Sequence, residues 1–492
     1  MKKSYAIALC LLLAANWAGA TTYYIDYGSG NDTNAGTSTS APWQYCPGMV
    51  GSSSAYSHAA GDVFIFKGGV TWPAATLPLT IANSGAAGAV DTYTVDSNWF
   101  DGASFSYPVL DGDMSLGAYN AGIYATGKSY FMIDNLKIID VGDTATGSGK
   151  AIEVYNGSCI EIKNCWLQPE GIEAFAYDVA GMNASNIVFH HNQIHRAGRA
   201  VIYADTGAVL DDVKIYNNVF EGAGDTELGA YHIDGFMIGN PLTAECTTGG
   251  VATVKNVQFY NNYFYGDWSE VATAQLYSNG CTDGLLAYNN VFSFDNTNVV
   301  GGDICLSPGF LVLHQKDKNV QIYNNTFAND AYPGYGKGAS TAINISDALD
   351  DGDMVIKNNI FSGLGNVIAY DSVTNMAIDY NLYNEAEPGT GRLIWNSGTG
   401  GWEAKTIADC QTHDMETNAP ALDDPEFVAI PDGTAGSGDW HLQSSSPAIG
   451  IAKVLTNFTT DISGVIRSSL WDMGAYEYAA PAPRHLLPIK RR

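Results

Sequence analysis

Basic residues are scarce in this chain. Its 492 residues include 23 Lys and Arg against 51 Asp and Glu, which gives a formal net charge of −28. Nucleic acids and anionic membranes select proteins with clustered Lys and Arg, so we expect neither as the main partner. Long apolar runs are also missing beyond the first residues, because no later stretch reaches the ~18 apolar residues that cross a bilayer. The composition therefore predicts a soluble protein without a transmembrane segment.

Paired metal-binding cysteines are missing as well. None of the eight cysteines has CxxC spacing, which argues against a structural zinc site. Cys159 and Cys165 lie on one predicted strand, about 20 Å apart when extended, which is too far for a disulfide between them. Cys246, Cys281 and Cys305 fall in loops of neighbouring repeats, and their pairing stays open. An odd number of cysteines after the leader leaves at least one thiol free.

The first twenty residues have the features of a secretion signal. Lys2 and Lys3 form a basic start, an apolar core covers 6–15, and the sequence AGA at 18–20 is a small-residue cleavage site. We therefore expect cleavage after Ala20 and a secreted protein, extracellular or at the cell surface, that works as a monomer.

The strongest pattern present is an internal repeat. Alternating apolar strands end in Asn, one further residue and an apolar residue, as in VKIYNNVF at 213–220 and VQFYNNYF at 257–264. The recurring asparagines lie 22 to 44 residues apart and are Asn135, Asn164, Asn192, Asn218, Asn262, Asn290, Asn325, Asn359 and Asn381. A repeat length with a fixed minimum and a variable excess is typical of a parallel β-solenoid, in which extra residues form loops that project from the coils. Each Asn amide is expected to bind the equivalent amide of the next coil, about 4.8 Å away.

These coils resemble the right-handed parallel β-helix superfamily, the fold of pectate-lyase-like proteins. TYYIDYGSGNDTNAGTSTSAPWQ (22–44) resembles the opening segment of its secreted members. DWHLQSSSPAIGIA (439–452) with TDISGVIRSSLWDMGAYEY (460–478) resembles the end segment of bacterial members. The resemblance implies an all-β, right-handed parallel β-helix with nine or more coils. It implies no single activity, since the superfamily includes lyases, hydrolases, epimerases and inactive adhesins.

The predicted segments follow one another simply. The signal peptide occupies 1–20, the N-terminal cap and first strands 21–110, the regular coils 111–400, and the last coils with the C-terminal closing segment 401–478. The remaining residues, 479–492, form a Pro-rich basic tail that is predicted to be disordered, as either a surface-retention signal or a frayed end.

Candidate catalytic residues concentrate around the longest interval, between Asn218 and Asn262. It contains AYHIDGFMIGN (230–240), and the preceding coil contains HHNQIHRAGR (190–199). Sites on such a fold form on an outer face beneath long loops. The predicted catalytic set is His232, Asp234, Arg199, Arg196 and His195.

Arg199 and Asp234 are central to this prediction. Aligning RAVIYA (199–204) with DGFMIG (234–239) stacks Arg199 on Asp234, so that Arg199 faces a substrate carboxylate while His232 acts as a base. Asp234 has the parity of Phe236 and points inward in an ideal strand, unless Asp234-Gly235 forms a corner. The alternative is that Asp234 caps a turn and His232 is an ordinary surface residue.

Further candidates flank the same face. The predicted substrate-binding residues are Tyr231, Trp268, Tyr277, Lys316 and His314. His314 and Lys316 lie near a strand end and are alternative sources of a base. The predicted calcium ligands are Asp350, Asp351 and Asp353 in DALDDGD, with Asp111 and Asp113 in LDGD as a second group. Asp-Gly turns look the same without a metal, and calcium is the one cofactor expected.

Together these features favour an exported carbohydrate-active protein that binds an extended acidic polysaccharide. The favoured reaction is β-elimination by a polysaccharide lyase, with Arg199 or Arg196 neutralising a uronate carboxylate. Two alternatives stay open, a non-catalytic glycan-binding adhesin and a glycoside hydrolase that uses Asp234. HIDGF resembles the NTDG motif of polygalacturonase-like hydrolases, but the next coil, SEVATAQLYSNG, lacks the paired acids of a two-carboxylate mechanism.

Overall fold

The computed structural model describes residues 19–117, 120–142, 148–169, 173–181, 184–195, 197–204, 208–223, 233–239, 253–267, 272–293, 309–314, 317–329, 341–346, 353–371, 373, 375–385, 391–398, 401–430 and 436–479. The chain divides into two compact units, Met1–Asn192 and Gln193–Arg492. Each unit is built from three parallel sheets that the chain visits in turn. No helix among these residues is long and apolar enough to span a membrane.

In the first unit the three sheets pair strands in register from coil to coil. The first sheet contains β1 (Thr22–Ile25), β2 (Val63–Gly68), β5 (Asp91–Phe100), β8 (Phe131–Asp134), β11 (Ile160–Lys163) and β14 (Ala184–His190). The second contains β3 (Thr71–Trp72), β6 (Val109–Asp111), β9 (Lys137–Ile139) and β12 (Trp166–Gln168). The third contains β4 (Leu79–Ile81), β7 (Ala121–Thr126), β10 (Ser148–Tyr155) and β13 (Glu173–Gly181), and a 3-10 turn, Ala74–Thr76, precedes β4.

The second unit repeats this plan. Its first sheet contains β17 (Val209–Tyr216), β20 (Thr253–Tyr260), β23 (Thr282–Tyr288), β26 (Val320–Tyr323), β29 (Met354–Lys357) and β32 (Met376–Asp379). The second contains β15 (Gln193–His195), β18 (Val219–Ala223), β21 (Tyr263–Asp267), β24 (Val291–Ser293), β27 (Thr326–Ala328), β30 (Ile360–Leu364) and β33 (Leu382–Glu385). The third contains β16 (Arg199–Ala204), β19 (Ile233–Ile238), β22 (Ala272–Ser278), β25 (Leu311–His314), β28 (Thr341–Ser346), β31 (Asn366–Tyr370), β34 (Arg392–Asn396) and an antiparallel β35 (Trp402–Ala404).

The solenoid prediction is confirmed, since parallel strands stack coil upon coil within each unit and the two units together contain more than nine coils. Alternate residues of each strand enter the core, as period-2 alternation predicts. In the second unit the core holds a column of stacked rings with centroids 4.4 to 5.3 Å apart, formed by Phe220, Phe264, Phe292, Phe327, Phe361 and Tyr383. One ring per coil fixes the coil spacing because each aromatic face packs on the next.

The predicted asparagine ladder is present in the second unit. The buried ladder residues are Asn218, Asn262, Asn290, Asn325, Asn359 and Asn381. The Nδ2 of each of the first five donates to the Oδ1 of the following ladder asparagine at 2.9 to 3.1 Å. Nδ2 also donates to a core-strand carbonyl, as from Asn325 to Ala287 O at 3.0 Å. The ladder therefore satisfies polar groups that the bend removes from the sheets.

Asn135 and Asn164 are not ladder residues, which corrects the sequence alignment by one position. Both have positive φ, 58° and 53°, and it is Cys165 whose N–H donates to Asn192 Oδ1 at 2.9 Å. In the YNNVF repeats two adjacent asparagines fill these two positions. The first takes the left-handed conformation that Asn tolerates, and the second forms the ladder.

The left-handed asparagines hold the C-terminal segment against the coils. Asn289 Nδ2 donates to Thr460 O at 2.7 Å, Asn324 Nδ2 to Asp472 O at 2.9 Å, and Asn358 Nδ2 to Lys453 O at 2.8 Å. The closing segment thus runs along the flank of the second unit, where Phe458 stacks on Tyr288 at 4.3 Å. It includes a two-stranded antiparallel ribbon, β36 (Phe427–Ala429) and β37 (Asp439–Leu442).

A separate segment caps the last coil. The short helix α1 (Ile407–Gln411) is capped by Thr406, and the chain after it places the buried Glu416 against Asn381. Cys46, Cys159, Cys165 and Cys410 are free, which confirms that Cys159 and Cys165 do not pair and that at least one thiol is free, whereas Cys281 is disulfide-bonded.

Candidate functional site

The third sheet of the second unit carries most of the described candidates. Its strand register aligns one residue per coil, and of these residues Tyr277, Asn344 and Trp395 are partly exposed while the other four are buried. We call this line the outer row, and it consists of Val201, Met237, Tyr277, Val312, Asn344, Ala369 and Trp395. The residues that follow the first two, Ile202 and Ile238, face the core and are fully buried.

Arg199 and Asp234 lie on adjacent strands but are not opposite each other. Ala200 pairs with Phe236, so Arg199 aligns with Gly235, and the Asp234 N–H donates to Gly198 O at 3.0 Å. The predicted stacking of Arg199 on Asp234 is wrong by one residue, because Ala200 rather than Val201 faces the core beside Phe236. Asp234 is 1% exposed, as its parity with Phe236 predicts.

Tyr277 connects these residues electrostatically. Its hydroxyl donates to Asn279 Oδ1 at 2.9 Å, and the side chain is half-buried. Burial raises the pKa of Tyr277 to about 12; the charges of Asp234 and Asp317 add to this shift, and the charge of Arg199 opposes it. The phenol therefore stays protonated at neutral pH. Its strand β22 lies next to β19, which carries Asp234, and two strands from β16, which carries Arg199.

His314 adjoins the same phenol from the next coil. Its ring centroid is 6.0 Å from that of Tyr277, with the two planes 74° apart. The backbone N–H of His314 donates to Asp317 Oδ2 at 3.3 Å, and the backbone N–H of Thr282 donates to Asp317 Oδ1 at 2.9 Å. Asp317 is fully buried, and burial raises its pKa to about 7. This carboxyl group holds the turn that ends β25 and fixes the backbone of His314.

Two predicted residues lie elsewhere. His195 is on β15 in the second sheet, where its Nδ1 contacts Glu221 Oε2, because the chain turns between β15 and β16 before it reaches Arg199. Asp353 is exposed just before β29 in the first sheet. Neither joins the third-sheet cluster. Seven other candidates lie outside the described residues, namely His232, Arg196, Tyr231, Trp268, Lys316, Asp350 and Asp351.

Metal ligation has little support in the part of the chain that the structure describes. No group of three His, Cys, Asp or Glu side chains there converges as a metal site. Asp113 N–H donates to Asp111 Oδ1 at 2.9 Å, which is the turn that the LDGD sequence also allowed. Calcium binding at 350–353 stays a prediction.

The cluster offers a fixed cation, a neutral phenol and an imidazole from three strands of one sheet. Such a set can neutralise an anionic substrate group and move a proton beside it. Sequence reasoning missed Asn279 and Asp317, although Asp317 lies in the FLVLHQKDK stretch already selected for His314. Its signal was a carboxylate three residues beyond a strand-end histidine.

Comparison with known proteins bears on the fold. Residues 115–282 match the family described as the right handed beta helix region, and no curated protein matches the chain. Three solved structures are similar to it. Pectate lyase Pel9A has a TM-score of 0.42 and 15% identity, over 94% of this chain and 98% of that chain. The alginate lyase from Paenibacillus sp. str. FPU-7 has a TM-score of 0.41 and 15% identity, over 69% and 93%. The GH136 lacto-N-biosidase from Eubacterium ramulus has a TM-score of 0.46 and 11% identity, over 76% and 65%.

Proposed function

Starting from a chain that is a right-handed parallel β-helix, we propose that it is an exported polysaccharide lyase that cleaves an extended, uronate-containing polysaccharide by β-elimination. One observation supports the proposal: Tyr277 is in ring contact with His314 at a centroid distance of 6.0 Å and lies two strands from Arg199 on the same sheet. β-Elimination needs these three functions, a neutraliser, a base and a proton donor, around one sugar.

The proposed roles follow from the charge states. The Arg199 guanidinium binds the uronate carboxylate and so acidifies the neighbouring C5 proton. The His314 imidazole accepts that proton, the C5–H electron pair forms the C4=C5 double bond, and the C4–O bond breaks. Tyr277, kept protonated by its raised pKa, donates its proton to the leaving glycosidic oxygen. A later proton transfer from His314 to Tyr277 through solvent restores both groups.

Asp234 has a supporting role in this scheme. Its charge acts on Tyr277 in the opposite direction to that of Arg199. The buried Asp234 carboxylate therefore helps to keep the phenol protonated. The predicted base His232 stays a second candidate for the proton acceptor.

The test is incubation of the mature protein with polygalacturonate, alginate and glycosaminoglycans, with and without calcium. Ultraviolet absorbance of an unsaturated uronate product supports the lyase. New reducing ends without that absorbance indicate a hydrolase instead, and binding without either product indicates a non-catalytic glycan-binding protein.

Variants then test the residues. Arg199→Gln and His314→Gln are expected to lower kcat by about 10²-fold or more. His441→Gln is the matched control, because His441 is an exposed histidine of the closing segment that contacts Asp439 and the ring of Tyr476. Unchanged kcat in Arg199→Gln contradicts the assignment.

A further inference from the structure

The outer row ends on an aromatic residue that the proposed chemistry does not use. Register pairs run without a break from Tyr277 through Val312, Asn344 and Ala369 to Trp395. Four strand spacings separate Tyr277 from Trp395, a distance of about 19 Å along the coil axis. Both side chains therefore belong to one line on one sheet face.

Charged side chains surround Trp395. The Arg392 guanidinium lies 4.8 Å from the centroid of the Trp395 ring. Glu403 pairs directly opposite Trp395 on the antiparallel strand β35. The Glu403 carboxylate accepts from Arg392 Nε at 2.6 Å and lies 3.2 Å from Lys405 Nζ. One carboxylate is thus shared by two cations, and the cluster keeps a net positive charge in a chain whose net charge is −28.

This cluster is accessible. The side chains of Arg392, Glu403 and Lys405 are 36%, 41% and 43% exposed, and Trp395 is half-buried. Exposed ion pairs of this kind contribute little to stability. Hydrogen bonds from Arg392 and then Lys405 hold the pKa of Glu403 below its ordinary value. At neutral pH the charged carboxylate therefore forms ion pairs with both cations.

We infer that Trp395, Arg392 and Lys405 form an accessory binding site for an acidic polysaccharide, four coils from Tyr277. The indole face that Arg392 leaves uncovered packs on the apolar C–H face of a sugar ring, and the cations bind its carboxylate in place of Glu403. The inference rests on the proposed function for its ligand class, and it adds that one polymer spans both places by bridging the buried Val312 and Ala369 between them. Longer chains then bind more tightly than short ones, because they occupy both places at once.

Three variants test the site by direct binding to polygalacturonate and alginate in affinity electrophoresis. Trp395→Ala is expected to weaken binding of the long polymer at least tenfold. Glu403→Gln is expected to strengthen it severalfold, because it frees the two cations and removes a repelling charge. The matched control is Trp166→Ala, since Trp166 pairs with Lys137 at 5.0 Å on a second sheet.

The outcomes separate the two proposals. Binding without cleavage, lost in Trp395→Ala and increased in Glu403→Gln, supports the accessory site and contradicts the lyase. Cleavage with unchanged binding in both variants overturns the accessory site and leaves the lyase standing. If Trp395→Ala fails to fold, Glu403→Gln decides, because weaker or unchanged binding in that variant overturns the site. Failure of the wild type to bind polygalacturonate, alginate or the glycosaminoglycans overturns both.

Discussion

The Asn381 Nδ2 donates to Glu416 Oε1 at 2.7 Å, so the asparagine ladder ends on a buried carboxyl group. The Tyr383 hydroxyl donates to the same oxygen, and Glu416 is fully buried. The side-chain amide of each ladder asparagine donates to an acceptor on the following coil. For Asn381, on the last coil of the ladder, Glu416 is that acceptor. Unlike an amide, this acceptor titrates.

Stability is expected to fall as pH rises through the titration of Glu416. Burial raises its pKa from the ordinary 4.5 to about 7, so between these values the folded state holds a proton that the unfolded state has released. A proton bound preferentially by the folded state stabilises it below this window, and the stabilisation is lost as pH rises towards 7. Glu416→Gln keeps an acceptor without a charge and should flatten this part of the profile.

The measurement is the urea midpoint of wild type and Glu416→Gln across this pH window. Asp317 has a similarly raised pKa of about 7, so Asp317→Asn is a parallel variant whose effect should add to that of Glu416→Gln. Identical pH profiles for wild type and Glu416→Gln would contradict the buried, titrating cap.

Removing one ladder residue should destabilise the coils on both sides. In Asn325→Ala the Asn290 Nδ2 and the Asn359 Oδ1 lose partners 2.9 and 3.1 Å away, and Ala287 O loses a donor at 3.0 Å. A buried polar group left unsatisfied costs about 1–3 kcal/mol, so we expect a loss of about 3 kcal/mol or more in the free energy of unfolding.

Urea unfolding with hydrogen exchange of β26 and β29 checks this expectation. The matched control is Asn457→Ala, because Asn457 is exposed and its amide meets only Gln321 Oε1 at 3.1 Å. Equal losses in the two variants would show that the ladder contributes no more than a surface contact.

The fold could be predicted well from the sequence alone, because each repeat has the same strand pattern and the same asparagine position. Such repeats form stacked coils whatever the length of the loops between them. What it could not provide was register to one residue. Asn135 and Asn164 fit the motif pattern yet occupy the left-handed position, and only the partner of Asn192 shows the difference.

The same limit applied at the site. Alignment of the apolar residues in the two sequences placed Arg199 opposite Asp234. In the structure Ala200 packs beside Phe236 in the core, so Arg199 lies one residue further along, opposite Gly235. GRLIWN at 391–396 was not recognised as part of the repeat, because the strands of the third sheet are not followed by the recurring asparagine that marks the first sheet. Its Trp395 joins the outer row only through a chain of strand pairings, which no single stretch of sequence encodes.

The left-handed asparagines should hold the closing segment against the coils. Asn358→Gly keeps the positive φ of 61° without strain, but it removes the Nδ2 bond to Lys453 O and the Oδ1 that accepts from Lys453 N at 2.8 Å. It also removes one bond between coils, from Asn358 Nδ2 to Asn324 Oδ1 at 3.0 Å. We expect faster limited proteolysis within 450–478 and a smaller effect on the urea midpoint of the coils. Asn319→Gly is the control, since Asn319 is also left-handed but its amide donates to the partly exposed Asp283 and not, among the described residues, to the closing segment. Equal proteolysis of both variants would exclude the asparagine contacts as the clamp.

Tyr277→Phe separates a catalytic phenol from a packing ring. Phenylalanine keeps the edge-on contact with His314 and removes only the hydroxyl that donates to Asn279. If Tyr277 donates the proton to the leaving oxygen, kcat should fall by about 10²–10⁴-fold while KM changes little. Tyr216→Phe is the control, because Tyr216 stacks on Tyr260 in the first sheet with a similar half-buried ring.

Because the pKa of Tyr277 is raised to about 12, the wild-type rate should show no decline from ionisation of Tyr277 at neutral or mildly alkaline pH. A large rise in KM with unchanged kcat would instead make Tyr277 a binding residue and leave His314 to handle both proton transfers.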